Sequence, residues 1–331
     1  MNAVCAATTY DRADDLWLVT SYFNPVGYKG KMPNYRVFRD VISRSGLNLV
    51  TIECAFGDDD FVLPCGPDVV QVRAHHIMWQ KERLLNLAIA CLPSHCTKVA
   101  WLDCDILFEN PSWAVETSRL LDHYPVVQPF ETAIRLPRAC RDYLGIGDLR
   151  RSFGAVCATS PQLARVGNFD QHGESGLAWA ARRAVLTSSG LYDAGIIGGG
   201  DHTMAHAMCG DWTSPCIGRL IGTDNAQLRH FLRWGEGFYR NICGGIDYVP
   251  GAALHLWHGE RLDRRYTLRH RELESFAFDP EKDLRVSEAG CWEWASDKQE
   301  MHRWAVDYFI QRNEDGADTE GAHHPVVSPT R

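Results

Sequence analysis

Residues 98–108 read KVAWLDCDILF. The apolar run Val99-Ala-Trp-Leu102 passes without a turn signal into Asp103-Cys-Asp105, and apolar residues resume at once. The run carries no polar alternation and is bounded by polar residues, which predicts a strand buried on both faces. In α/β sheets, ligands bind outside the carboxyl ends of such strands. Two carboxylates two residues apart at that position offer the oxygen donors that Mg²⁺ and Mn²⁺ prefer. An exposed Asp pair in a turn is the competing reading, and the preceding strand with the trailing Ile-Leu-Phe argues against it.

Working outward, Leu16-Trp-Leu-Val-Thr20 predicts another buried strand, opening into Ser21, Tyr22, Phe23 and Asn24. Helical spacing runs from Tyr35 to Ser45, and LNLVTIECA (Leu47 to Ala55) predicts a second strand. A third, Val69 to Val72, precedes a helix from Trp79 to Leu92 that Pro93 ends. Strands alternating with helices predict an α/β fold around a mostly parallel sheet. The polar residues at the strand ends, Ser21, Asn24, Glu53, Asp103 and Asp105, are site candidates on that ground alone. Further on, Gly176 to Arg183 predicts a strand entering a helix, Asp201 to Cys209 a helix, and Tyr248 to Trp257 a strand. Trp292 to Arg312 reads as an amphipathic helix. The expected organisation is a catalytic domain over 1–285, a helical appendage over 286–312 and a disordered tail over 313–331.

Composition narrows the classes. The 331 residues are 45% hydrophobic and 23% charged, the balance of an ordinary globular chain. A formal net charge of −8 disfavours a broadly basic nucleic-acid binder, although a local basic groove is compatible with it. No run approaches the roughly 18 apolar residues of a membrane helix, and no signal peptide is visible, so a cytoplasmic location is expected. The 12 Cys include no Cys-x-x-Cys pair, which argues for reduced thiols and against a structural zinc site.

Three further patterns carry chemistry. Ile196-Ile-Gly-Gly-Gly-Asp201 sets three glycines, Gly199 and Gly200 among them, before a carboxylate and a helix. Glycines allow close backbone approach to a ligand. Asp201 is either a catalytic acid or a helix N-cap, and the missing Lys-Ser/Thr excludes a P-loop. His202 and His206 share a helix face, but Thr203 stands where a zinc protease has Glu, so ordinary surface or buried histidines are expected. His255 and His258 flank Leu256-Trp257 before Gly259 and could meet at one metal only if the chain turns there. Arg261, Arg264, Arg265, Arg269, His270 and Arg271 form a basic stretch, either a solvated helix face or a counter-charge for an anion.

WQKERLLNLAIACLP followed by KVAWLDCDILFENPSW resembles the nucleotide-sugar half of GT-A glycosyltransferases, with DCD as the Asp-x-Asp motif. GLAWAARRAVLTSSGLYDAGIIGGGD resembles the acceptor half of galactosyl- and N-acetylgalactosaminyltransferases, and HLWHG their C-terminal His element. The resemblance covers about residues 15–260 in the family's order. It implies a GT-A fold, a Rossmann-like donor half (about 1–125) joined to an acceptor half (126–285). Asp103, Asp105, His258 and, second to it, His255 would hold Mn²⁺ or Mg²⁺, and Asp201 would be the general base of an inverting transfer from a UDP-type sugar. Ser21, Tyr22 and Asn24 would hold the nucleotide, Glu53 its base or ribose, and Lys81 and Asn86 the diphosphate. Trp179 would line the acceptor side, with a place in the core as the equal alternative. WQKE-LLN-AI, VAWLDCDI and HLWHG are also similar to phage-type enzymes and to the glucosyltransferase that completes base J, which implies a 5-hydroxymethylpyrimidine in DNA as acceptor. A glycan, lipid-linked sugar or protein hydroxyl is the alternative acceptor, and a non-catalytic nucleotide-sugar-binding module the alternative function.

Overall fold

A computed structural model describes residues 13–165, 169–266 and 268–316. The four strands expected in the first 110 residues form as β1 (Leu16–Phe23), β2 (Asn48–Phe56), β3 (Val69–Ala74) and β4 (Lys98–Leu102). After them come β5 (Ile106–Phe108), β6 (Val126–Gln128), β7 (Thr132–Arg135), β8 (Asp148–Arg151), β9 (Ala178–Arg182), β10 (Ile246–Tyr248) and β11 (Ala252–His255). A seven-stranded sheet has the order β10-β6-β9-β4-β1-β2-β3. Its pairings are parallel except at β9, which runs antiparallel to both β4 and β6. The mostly parallel α/β architecture expected from the sequence is thus observed. A smaller sheet, β5-β11-β7-β8, lies beyond the carboxyl end of β4.

Side-chain alternation along β1 explains why this sheet is buried on both faces. Val19 and Phe23 enter one apolar cluster, while Leu16, Leu18 and Tyr22 enter a second cluster on the opposite face. In β4 the same split sends Val99 and Trp101 one way and Ala100 and Leu102 the other. Helix Lys81–Ala90 covers the first face with Leu84, Leu85, Ala88 and Ile89, and helix Lys31–Arg44 covers the second with Tyr35, Phe38 and Ile42. Among the described residues no helix is long and apolar enough to cross a membrane.

Three expectations need correction. The run Tyr248 to Trp257 is two strands, because Pro250 has no N–H to give to a ladder and interrupts it. The helix expected from Trp292 begins at Gln299: Trp292–Trp294 (β13) pairs antiparallel with Leu284–Val286 (β12), where buried Glu293 lies opposite Arg285 and ion-pairs with it at 3.2 Å. Asn313 to Gly316, the first residues of the expected tail, are docked. The Asp315 carboxylate accepts from the backbone N–H of Lys29 (2.9 Å) and Gly30 (2.8 Å), at the N-terminus of helix Lys31–Arg44, and Glu314 is 4% exposed. Residues 317–331 lie outside the described residues.

Gly259 is what lets this segment approach. Its φ is +95°, and a Cβ there would lie 2.7 Å from the Asn313 carbonyl oxygen and 2.8 Å from Glu314 Cα. Gly259→Ala should therefore cost roughly 1–3 kcal/mol through the left-handed backbone alone. An unchanged chemical-denaturation midpoint would show that Gly259 does not hold the left-handed conformation described.

Candidate active site

The carboxyl end of β4 opens into a cleft of about 400 Å³, and the two carboxylates of the DCD motif reach it in different company. The Leu177 carbonyl receives the Asp103 N–H at 2.7 Å, and the Asp105 carbonyl receives the Leu256 N–H at 2.9 Å, which ties β4 to β9 and to the end of β11. Asp105 faces His255 Nε2 at 3.5 Å and His258 Nδ1 at 3.6 Å. Both imidazoles reach one carboxylate because β11 ends at His255 and the chain leaves extended geometry before His258. The donor atoms of these three residues lie within 4.8 Å of one another, a mixed oxygen and nitrogen set that suits Mn²⁺ better than Mg²⁺. Burial pushes the Asp105 carboxyl up, but His258 and His255 outweigh it and hold the group well below the usual carboxylate range. Burial and the neighbouring Arg264 guanidinium bring His258 down to about 4, so its imidazole is neutral.

Asp103 belongs to a second group centred on Lys81, the first residue of its helix. Lys81 Nζ lies 2.5 Å from Asp103 and 2.7 Å from Asp201, and its side chain is only 9% exposed. Burial alone would lower the Lys81 pKa, but Asp103, Asp201 and Glu82 raise it well above the ordinary value. Asp201 is not a helix cap: Gly199 takes the N-cap position of helix Gly200–Met208, and no side chain caps it. Burial raises the Asp201 pKa and Asp103 adds to the rise, against the opposing pull of Lys81. Glu82 lies behind this group, 2% exposed, and burial pushes it up to about 8. Gly200 packs tightly on it, since a Cβ there would lie 2.3 Å from Glu82 Oε1.

The opposite wall is cationic. Eight Lys and Arg side chains line the cleft against five carboxylates, an excess of positive charge in a chain whose net charge is −8. Arg264, Arg269 and Arg312 are 6%, 3% and 4% exposed, interleaved with Glu314 and Tyr308. Arg264 donates to His258 Nδ1 at 2.9 Å. The 261–271 stretch is therefore not one solvated face. Arg264 and Arg269 turn inward, whereas Arg261 pairs with Asp148 and Arg265 with Glu272.

Of the residues singled out in the sequence, Ser21, Lys81, Asp103, Asp105, Gly199, Asp201, His255 and His258 line this cleft. The others do not. Tyr22 points to the opposite face of β1, into the apolar cluster around Tyr35. The Asn24 side chain closes a local turn on the Tyr28 N–H and carbonyl. Glu53 accepts from Val62 N–H (2.6 Å), Leu63 N–H (3.1 Å) and Gln71 Nε2 (3.0 Å), pinning the loop after β2. Asn86 accepts the Leu191 N–H at 2.8 Å and donates to the Leu191 carbonyl at 3.0 Å. Trp179 lies opposite Trp101 in the sheet register, 1% exposed, and serves the core. Gly200 is packed on Glu82 rather than on the cleft. Sequence reasoning missed Glu82, Glu174, Arg312 and Glu314. Adjacency to Lys81 could have flagged Glu82, whereas Glu314 sat in a polar, Gly-rich stretch with no signal.

No protein-family model and no curated protein matches the chain. Among solved structures it is similar to a 4-diphosphocytidyl-2C-methyl-D-erythritol synthase from Anaerococcus prevotii, at 12% identity over 78% of this chain and 98% of that one, with a TM-score of 0.35. It is also similar to the catalytic domain of Drosophila beta1,4-galactosyltransferase 7 in complex with xylobiose, at 11% identity over 88% and 98%, TM-score 0.35. A nucleotide-diphospho-sugar transferase from Desulfovibrio desulfuricans, described as putative, gives 13% identity over 90% and 98%, TM-score 0.32. Likeness at this level bears on none of the cleft's residues.

Removing Lys81 tests the central charge group. Lys81→Met leaves Asp103 and Asp201 facing each other, which should cost up to about 3 kcal/mol, less than a fully buried pair because both acids keep some solvent. The folded-state pKa of Asp201, already raised, then rises further above its unfolded value. Its protonated form is favoured by folding, so part of the stability lost at neutral pH should return as pH falls through the raised folded-state pKa toward the unfolded value of about 4. Melting curves across that range check the sign, and a deficit that grows on acidification would refute the arrangement.

Proposed function

We propose that the chain is a divalent-metal-dependent glycosyltransferase of the GT-A type, moving a sugar from a UDP-type nucleotide-sugar to a hydroxyl. The observation that carries this reading is the convergence of Asp103, Asp105, Asp201, His255 and His258, from separate chain segments, on one cleft with a cationic far wall. Asp105, His255 and His258 would hold Mn²⁺, with Asp103 beside them and Ser21 near the nucleotide. The cation would supply charge stabilisation to the departing diphosphate. Arg264, Arg269 and Arg312 are fixed donors that would add to it in a site shielded from water.

Asp201 has the character of a general base. Its raised pKa makes it a stronger proton acceptor than a solvated Asp, and Lys81 holds its carboxylate in one orientation. It would take the proton from the acceptor hydroxyl as that oxygen attacks the anomeric carbon. A base on the face opposite the leaving group implies single displacement with inversion. Glu174, held by Arg135 at 2.6 Å and lining the same cleft, would position acceptor hydroxyls.

For the acceptor, the burial of Arg264 and Arg269 favours a glycan or another compact hydroxyl compound. The 5-hydroxymethylpyrimidine in DNA suggested by resemblance needs a continuous basic surface. Residues 261–271 supply only Arg261, Arg265 and Arg271 outside the buried wall, and the first two are ion-paired.

Two measurements test these readings. Asp201→Asn keeps the shape and loses the proton acceptor, so Mn²⁺-dependent transfer should fall by roughly 10²–10⁴-fold with the fold intact. Near-full activity would remove Asp201 from catalysis, and no donor turnover with or without Mn²⁺ in the parent chain would favour a binding module. Binding to hydroxymethylated duplex DNA should be weak and almost flat in salt. A log–log slope of several multiples of about −0.9 would restore the DNA acceptor.

A further inference from the structure

A second cluster, of which His172 and His202 border the same cleft, takes no part in the chemistry above. His172, His202, His206 and Cys216 are 2%, 9%, 0% and 0% exposed, and one donor atom from each lies within 4.8 Å of the others. We propose that these four residues form a structural zinc site of one thiolate and three imidazoles. It is separate from the Asp105 group and does not depend on the glycosyltransferase reading.

The geometry carries the assignment. Zn²⁺ binds nitrogen at about 2.0–2.1 Å and thiolate at about 2.3 Å in a tetrahedron, so its donors sit roughly 3.3–3.7 Å apart. His202 and His206, four apart on one helix, bring Nε2 to 3.2 Å from Nε2, close to one edge of that tetrahedron. The far nitrogens of two rings are already engaged: His206 Nδ1 lies 3.1 Å from the Asp211 carboxylate, and His172 Nδ1 lies 2.9 Å from the Gly173 carbonyl. That is the outer-shell pattern of zinc-bound histidines, which fixes the tautomer with the Nε2 lone pair free to bind. His172 Nε2 is buried with no hydrogen-bond partner, a cost that a metal ligand would not incur.

Charge and donor type select the metal. A thiolate with three imidazoles suits Zn²⁺ rather than the oxygen-seeking Mn²⁺ or Mg²⁺. Binding releases the Cys216 proton, and the resulting single positive charge is offset by Asp211. Cys216 opens helix Pro215–Ile221, and His202 follows Asp201 directly. The ion would therefore tie that helix, the first turn carrying Asp201 and the segment carrying Glu174 into one unit.

The test uses the full chain purified without added chelator. Elemental analysis should find one zinc per chain that is retained in Asp105→Ala and lost in Cys216→Ala. Asp211→Ala should weaken zinc affinity roughly 10–100-fold. Should Cys216→Ala fail to fold, cobalt-substituted parent protein decides: a thiolate-to-cobalt charge-transfer band with tetrahedral ligand-field intensity supports the site. Substoichiometric zinc together with a cobalt spectrum lacking the thiolate band would overturn it. So would zinc that leaves with Asp105 and stays with Cys216 removed.

Discussion

The ammonium group of Lys81, held between Asp103 and Asp201, is the interaction on which the cleft depends. The two acids come from the end of a strand and the start of a helix almost a hundred residues later, and like charges this close repel strongly where water is scarce. One cation offsets that repulsion and fixes their spacing. It also sets the register of helix Lys81–Ala90 on the sheet, since the residue making the bridges is the first of that helix. Glu82, next in sequence, is a third carboxylate in the same place, and its pKa of about 8 leaves it mostly protonated at neutral pH. A neutral Glu82 adds no charge to a group whose one cation already serves two acids.

Much of this fold was legible because its strands are fully buried. VTIECA and VAWL announce themselves as apolar runs, and the DCD motif marks where β4 stops. Face assignment was harder. Tyr22 and Ser21 are neighbours, yet the two-residue period of a strand sends one to the core and the other to the cleft. Trp179 reads in sequence equally as acceptor wall or as core, because its place opposite Trp101 follows from β9 inserting antiparallel between β4 and β6, which no local pattern encodes. Glu53 and Asn86 show the other limit. Both are polar residues in the expected elements, but their hydrogen-bonding capacity goes to the backbone of loops that sequence cannot bring near them.

Two histidine pairs show how context decides what a spacing means. His255 and His258 sit where a strand ends, and the break in extended geometry lets both face Asp105. His202 and His206 obey the helix repeat, but their meaning depends on His172 and Cys216, which arrive from other segments. The absence of a Cys-x-x-Cys pair argued against zinc only as long as all ligands were sought close together in sequence. Donors gathered by tertiary structure leave no such signature.

The docking of Asn313 to Gly316 has a consequence for the order in which the protein is made. Tyr28 Oη donates to the carbonyls of Phe309 and Ile310, Asp315 closes on Gly30, and Arg312 pairs with Glu314 against the same wall as Arg264. A nascent chain can thus complete the whole seven-stranded sheet once Tyr248 has emerged from the ribosome, while its cleft still lacks one wall. Folding of the scaffold and maturation of the pocket are separated by more than sixty residues of synthesis. Until residues 313–316 are translated, Lys29 and Gly30 offer bare N–H groups to solvent, and Arg264 and Arg312 lack the Glu314 carboxylate that orders them.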